Sequence, residues 1–243
     1  NGDEAVCRWV DDHTLVFPSS RAGDKAGSTA FYQLDIRGGE AQRTFTIPLS
    51  VKQFHLLPDG RWFVLSRQPI AKSDKQEDSR AQLGREYVVF DELPFWADGI
   101  GIINGLRMSG WLFDPKDGSI RKLTANTFDM EGAEVSPDGT RLLYWGVDYT
   151  DVRPDYKQLM LYDLVSGQTR SLIPEGRYRT THVGWWGSEI WFEATAPHTS
   201  VCRSPELYLL DPDSGACREF CSPDGFLGTS GIGDMSLGGG KLW

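Results

Sequence analysis

The 243-residue chain is predicted to be all-β, assembled from a repeated unit of four short strands. Three observations predict this. Apolar residues seldom recur at helical spacing, and 27 Gly with 13 Pro interrupt every long run. Short runs rich in aromatic and β-branched residues recur from end to end, bounded by Gly, Pro, Asp or Ser. Two kinds of tight turn alternate at long, regular intervals.

In chain order the predicted strands include "AVCRWV", "TLVFPS", "AFYQLDI", "RWFVLS", "RLLYWGV", "LMLYDL", "EIWFEAT" and "ELYLLD". The first kind of turn joins strands after an apolar run, at Asp12, Asp59, Asp98, Asp138 and Gly187. In "SPDGT" the Pro presets φ, the Asp side chain bonds the following backbone and the Gly tolerates positive φ. The second kind follows a strand ending in Asp, at Asp35, Asp114, Asp163 and Asp211. First-kind turns recur after about 47, 39, 40 and 49 residues, second-kind turns after 79, 49 and 48, the long gap being read as two units with one turn missing. A 40–50-residue period holding four short strands is the pattern of a β-propeller blade.

The expected units are about 1–48, 49–91, 92–128, 129–175 and 176–224, with a partial sixth at 225–243. A charged insert, Pro69–Arg85, is expected as an exposed loop within the second. Five units and a fragment would leave blade edges open, so the reading is part of a longer propeller, one of seven blades, able to self-associate through those edges.

Composition narrows function. Against 34 acidic residues stand 25 basic ones, a net charge of −9, which disfavours a nucleic-acid partner. No run of 18 apolar residues suggests a membrane span. Cys7, Cys202, Cys217 and Cys221 read as reduced thiols: "CREFC" lacks a second ligand pair for zinc, and no N-x-S/T sequon is present, so the expected location is cytoplasmic. No cofactor and no metal are expected. "GIGIING" misses the dinucleotide fingerprint, and the carboxylates of "DYTDVRPD" are not spaced as an EF-hand.

No nucleophile emerges. G-x-S-x-G is absent, and His13, His55, His182 and His198 have no serine assignable to them, so no catalytic residue is expected here. The segment "FDELPFWADGIGI", Phe90–Ile102, is more elaborate than a blade requires. Glu92, Trp96 and Arg107 are the candidates for substrate or interdomain contact. The structural alternative is that Trp96 packs between blades while Glu92 and Arg107 pair with each other.

"ELPFW" at Glu92–Trp96, then "GLRMSGWLFDPKDGSIRKLT" and "VSPDGTRLLYW", together with "WVDDHTLVFPSSR" and "LPDGRWFVLSR", resemble the N-terminal propeller of the prolyl oligopeptidase family. Within that family it looks like the bacterial acylaminoacyl-peptidase or dipeptidyl-aminopeptidase type. The resemblance implies a non-catalytic domain gating short peptides into the active site of a C-terminal α/β-hydrolase domain of the same polypeptide. That hydrolase domain, with its Ser-Asp-His triad, has no counterpart in these 243 residues. The alternative is a free-standing propeller acting as a protein-binding module.

Overall fold

The computed structural model describes residues 7–19, 27–70, 90–173, 176–195 and 205–220, and the backbone of 221, 237–238 and 241–242. Among the described residues there are strands, turns and no helix. The chain divides into two compact units, residues 1–130 with 150–152, and residues 131–149 with 153–243.

The first unit holds two four-stranded antiparallel sheets. Strands β1 (Arg8–Trp9), β2 (Thr14–Ser19), β3 (Thr29–Asp35) and β4 (Gln42–Ile47) pair in chain order. Next come β5 (Val51–Leu56), β6 (Trp62–Pro69), a two-stranded hairpin of β7 (Trp96–Ala97) and β8 (Gly101–Ile102), β9 (Leu106–Phe113) and β10 (Ile120–Lys122). The second sheet has the order β10-β9-β6-β5, so the hairpin is an insertion between its two central strands. Val16, Phe31, Ile47, Phe54, Trp62, Val64 and Phe113 form the core shared by the two sheets. Trp62 meets Phe31 and Phe45 edge-on with ring centroids 5.1 and 4.7 Å apart, a favoured arrangement of the aromatic quadrupoles.

The second unit repeats the plan. The third sheet consists of β11 (Phe128–Val135), β12 (Arg141–Asp148), β13 (Gln158–Asp163) and β14 (Thr169–Ser171). The fourth consists of β15 (Arg179–Trp186), β16 (Glu189–Thr195), β17 (Glu206–Leu210) and β18 (Cys217–Cys221), and β19 (Leu237–Gly238) pairs with β20 (Lys241–Leu242). Leu143, Leu159, Leu161, Trp185, Ile190 and Phe192 are the centre of its core. Gly132 is required by close approach. A Cβ there would overlap the Trp145 indole, 2.8 Å from its Cε2.

The turns are built as their residues demand. In the third sheet Asp138 Oδ1 accepts from Ser136 Oγ (2.6 Å), Thr140 N (3.0 Å) and Thr140 Oγ1 (2.9 Å), and Gly139 takes φ 71°. The Ser136 hydroxyl and the Thr140 donors hold the Asp138 carboxyl down at about 2. In the second kind of turn, Asp35, Asp114, Asp163 and Asp211 each accept the backbone N–H two residues on, at 2.8–3.0 Å.

The unit boundaries differ from expectation. Segments 49–91 and 92–128 contribute to one sheet, because β6 pairs with β9 from Trp62↔Phe113 to Pro69↔Leu106. The turn at Asp98 is the tip of the inserted hairpin, not a turn between blade strands. The interval from Asp59 to Asp138 is 79 residues, the same as that from Asp35 to Asp114. Both series thus record one lengthened blade. Of the charged insert, Pro69 ends β6 and Ile70 follows it; the remainder lies outside the described residues, as does most of 225–243.

Candidate functional site

Antiparallel strands place successive connections at alternate ends of a sheet. In the second sheet the short turns at Asp59 and Asp114 occupy one end, and the long connection between β6 and β9 leaves from the other. All three residues singled out in the sequence belong to this connection or to the strand it enters.

A buried ion pair fastens its C-terminal part. Glu92 and Arg107 are 6 % and 1 % exposed. Arg107 Nη1 donates to Glu92 Oε2 at 3.0 Å and Nη2 to Oε1 at 3.2 Å, a two-pronged contact. The remaining capacity is used too: Gly105 N donates to Glu92 Oε2 (2.8 Å), and Arg107 Nε donates to Thr127 O (3.0 Å). Asn104 Oδ1 accepts from the backbone N–H groups of Asp91 and Glu92, both at 3.1 Å. Glu92 and Arg107 thus hold the backbone at the base of the hairpin.

Above this anchor the chain turns out. Trp96 pairs with Ile102 across the hairpin, and Ile103 N donates to Phe95 O at 2.8 Å. Leu93 N donates to Asp151 O at 2.7 Å, and Leu93 forms a parallel bridge with Val152. Phe90 and Phe95 stack with centroids 4.5 Å apart and planes 13° from parallel. Phe90, Leu93, Phe95, Trp96, Ile100, Ile102 and Val152 are all exposed, Trp96 by 54 %. The structure thus pairs Glu92 with Arg107 and leaves Trp96 in solvent rather than between blades.

Asp11 Oδ1 accepts the backbone N–H groups of His13 and Thr14 (2.8 Å each), so "DDH" is a turn and its carboxylate does not orient the imidazole. The His13 backbone N–H is the largest influence holding the Asp11 carboxyl below its ordinary range. Burial, assisted by nearby Arg8, lowers the pKa of His55. His182, unremarkable in the sequence, shares Nδ1 at 2.7 Å with Oε2 of Glu193, a fully buried carboxylate that also accepts from Thr181 Oγ1 (3.1 Å). Only cross-strand register brings these residues together, which single-sequence periodicity does not reveal. His198 and Cys202 lie outside the described residues. Cys7 and Cys217 are free thiols, and burial pushes Cys217 up.

In and just after "DYTDVRPD" three charged side chains are paired. Arg153 and Lys157 reach Glu131 at 2.6 and 2.7 Å, and Asp155 pairs with Arg179 at 2.8 Å. Among the described residues no three His, Cys, Asp or Glu side chains group as they would around a metal ion.

Repeated four-stranded antiparallel sheets, tight turns at one end and a long connection at the other define an all-β fold of the β-propeller class. The chain is similar over 99 % of its length to Pyrococcus horikoshii acylaminoacyl peptidase, with TM-score 0.62 and 12 % identity, and covers 35 % of that chain. It is similar over 90 % of its length to the β-propeller domain of the Trilobed protease from Pyrococcus furiosus, with TM-score 0.50 and 15 % identity, covering 55 % of that chain. In sequence it is 25 % identical over 165 residues, 67 % of this chain, to a Sulfurisphaera tokodaii protein described as a Tricorn-like protease C-terminal subunit, of which it spans 18 %. No family model matches the chain.

Proposed function

We propose that this chain is the non-catalytic propeller domain of a serine peptidase, gating peptide access to an α/β-hydrolase active site carried by a C-terminal domain of the same polypeptide. The observation that carries the reading is its likeness in fold, along 99 % of its length, to an acylaminoacyl peptidase of which it spans 35 %. The Tricorn-like relative points to proteolysis as well. In this reading the mechanism is steric. Rigid sheets packed on aromatic cores wall off a cavity, and the connection inserted between β6 and β9 presents the surface that meets the hydrolase domain or the peptide. The cytoplasm is the proposed compartment, to be checked by cell fractionation.

The test is the native gene product in its source cells. An antibody to this chain should detect a polypeptide well above 27.2 kDa that reacts with a fluorophosphonate serine probe. A product near 27 kDa that does not react would overturn the reading. The exposed apolar cluster on the insert would then favour the second reading, a free-standing propeller that binds a protein partner.

A further inference from the structure

The described residues hold four Asp-Gly pairs and one Asn-Gly pair, in which a side-chain carbonyl stands beside a backbone nitrogen that no Cβ shields. In all but one, both groups are tied by hydrogen bonds. Asp59 accepts from Arg61 N at 2.9 Å and from the Arg61 guanidinium, and Gly60 N donates to Leu57 O at 3.0 Å. Asp117 Oδ1 accepts from Ser119 N at 2.8 Å, and Gly118 N donates to Asp114 O at 2.9 Å. Asp138 takes the bonds of its turn, and Gly139 N donates to Ser136 O at 2.8 Å. Asn104 Oδ1 accepts from Asp91 N and Glu92 N, and Gly105 N donates to the buried Glu92 carboxylate. Asp98-Gly99 is the exception. Both residues are exposed, and among the described residues neither the carboxylate nor the Gly99 N–H has a hydrogen bond or ion pair. Turn register is the cause. At Asp59 and Asp138 a Pro precedes the Asp, so the Gly comes last in the turn and its N–H closes it. At the hairpin tip Ile100 N closes the turn on Ala97 O at 3.1 Å, which puts Asp98 and Gly99 at the central positions. The N–H between central residues takes no part in the closing bond.

We propose that Asp98 is a site of spontaneous covalent modification, isomerising to isoaspartate through a cyclic succinimide formed with Gly99. The Gly99 nitrogen attacks Cγ of the neutral Asp98 carboxyl group. A C–N bond forms, the C–OH bond breaks, and the hydroxyl leaves as water with the amide proton. Water then opens the ring at either carbonyl. Opening at Cγ restores aspartate. Opening at the former main-chain carbonyl leaves the chain running through Cβ and Cγ, with the carboxylate on Cα. Nothing is oxidised or reduced, and the mass is unchanged. The product adds a methylene to the main chain of the turn that joins Trp96–Ala97 to Gly101–Ile102, so the closing bond from Ile100 N no longer fits. The locked Asn104-Gly105 pair at the base confines the change to the tip. The chemistry needs only water and is independent of the peptidase reading.

The test is peptide mapping of the folded chain, the guanidinium-unfolded chain and the native product after weeks at neutral pH, with fragmentation that separates isoaspartate from aspartate. Folding is expected to slow reaction at Asp59, Asp117, Asp138 and Asn104 by about tenfold or more, because each must first break at least two hydrogen bonds of ordinary strength. It should slow Asp98 by less than about threefold, since the hairpin tip has no such bond to break. Asp98→Asn should lose ammonia and give the same two products faster, because a carboxamide, unlike a carboxylate, is not ionised at neutral pH. Asp98→Glu, whose longer side chain closes a larger ring, should give none. Neither change removes a contact that holds the fold. Protection of Asp98 as strong as that of the other pairs, no isoaspartate there in the folded chain, or an Asp98→Asn variant that keeps its amide overturns the inference. So does reaction in the isolated chain but not in the native product, because the tip is then covered in the whole protein.

Discussion

The second and third sheets have the same four-stranded plan, yet their corresponding connections use charge in opposite ways. Between β6 and β9 the chain buries one ion pair, Glu92 with Arg107, and exposes apolar side chains. Between β12 and β13 it keeps Arg153 and Lys157 on the part-exposed Glu131, with side chains about one quarter exposed. The difference is one of dielectric. A long insert that shows its aromatics to solvent has little apolar contact with which to hold its own base, so the base is held by a desolvated pair whose donors and acceptors are closely satisfied. A short connection is held by its strands, and its ion pairs are surface dressing.

The sharpest way to break that contrast is to remove one partner from each pair. Arg107→Met strands the Glu92 carboxylate in a nearly dry site and should cost about 3–5 kcal/mol in urea unfolding. Arg153→Met should cost less than about 1 kcal/mol, because its partner is already in contact with water and with Lys157. Adding Glu92→Leu to Arg107→Met should recover the part of the loss that comes from the stranded charge, while the part that comes from the bonds to Gly105 N and Thr127 O remains. No recovery at all would mean that a stranded carboxylate is not the cause. A smaller effect is expected in the third sheet from Gly132→Ala, where the new methyl group meets the Trp145 ring. Overpacking of this kind costs about 1–3 kcal/mol, and thermal unfolding should show it.

Much of this scaffold is legible in the residues, and the reason is local chemistry. Asp138 and its neighbours build a turn from side chains one or two positions away, so "SPDGT" carries its own geometry. The same holds for Asp35, Asp114, Asp163 and Asp211. The blade boundaries between 49 and 128 were less legible because "WADGI" at Asp98 has turn chemistry indistinguishable from that of a blade turn. What separates them is long-range, the β6–β9 pairing, although the shared interval of 79 residues in both turn series was the sequence's own record of it. The sequence offers Glu92 and Arg107 as a pair, and they are one. That Trp96 stands in solvent could not be read from composition, since an aromatic residue beside a turn suits a core equally well.

Two carboxylates of the third sheet extend the comparison to pH. Glu134 on β11 accepts from Trp185 N at 3.1 Å, and burial, the larger influence, raises its pKa despite that bond. Between the ordinary carboxylate value and the raised one, the folded state binds more protons than the unfolded state. Stability from this group is therefore full below the ordinary value and is lost as pH rises through the raised one. Asp138 has the opposite sign: its contribution is present above the ordinary value and is lost as pH falls towards about 2. Glu134→Gln keeps an oxygen for Trp185 N and removes the charge. It should raise stability at neutral pH by about 1 kcal/mol or less and flatten the profile above pH 4.5. An unchanged profile would mean that water reaches Glu134.

The smallest expected change in stability comes from the most exposed tryptophan of the hairpin. Trp96→Ala removes an indole that is 54 % exposed and whose neighbours within the hairpin are Ile102 and the backbone of Gly101. Its cost in unfolding should fall within about 0.5 kcal/mol, as for surface positions generally. A larger loss, comparable to that of Trp62→Ala in the aromatic core (about 3–5 kcal/mol), would show that the hairpin is a structural part of the second sheet. The buried pair below the hairpin holds the chain in place, so the aromatic surface above is left exposed without being needed for the fold.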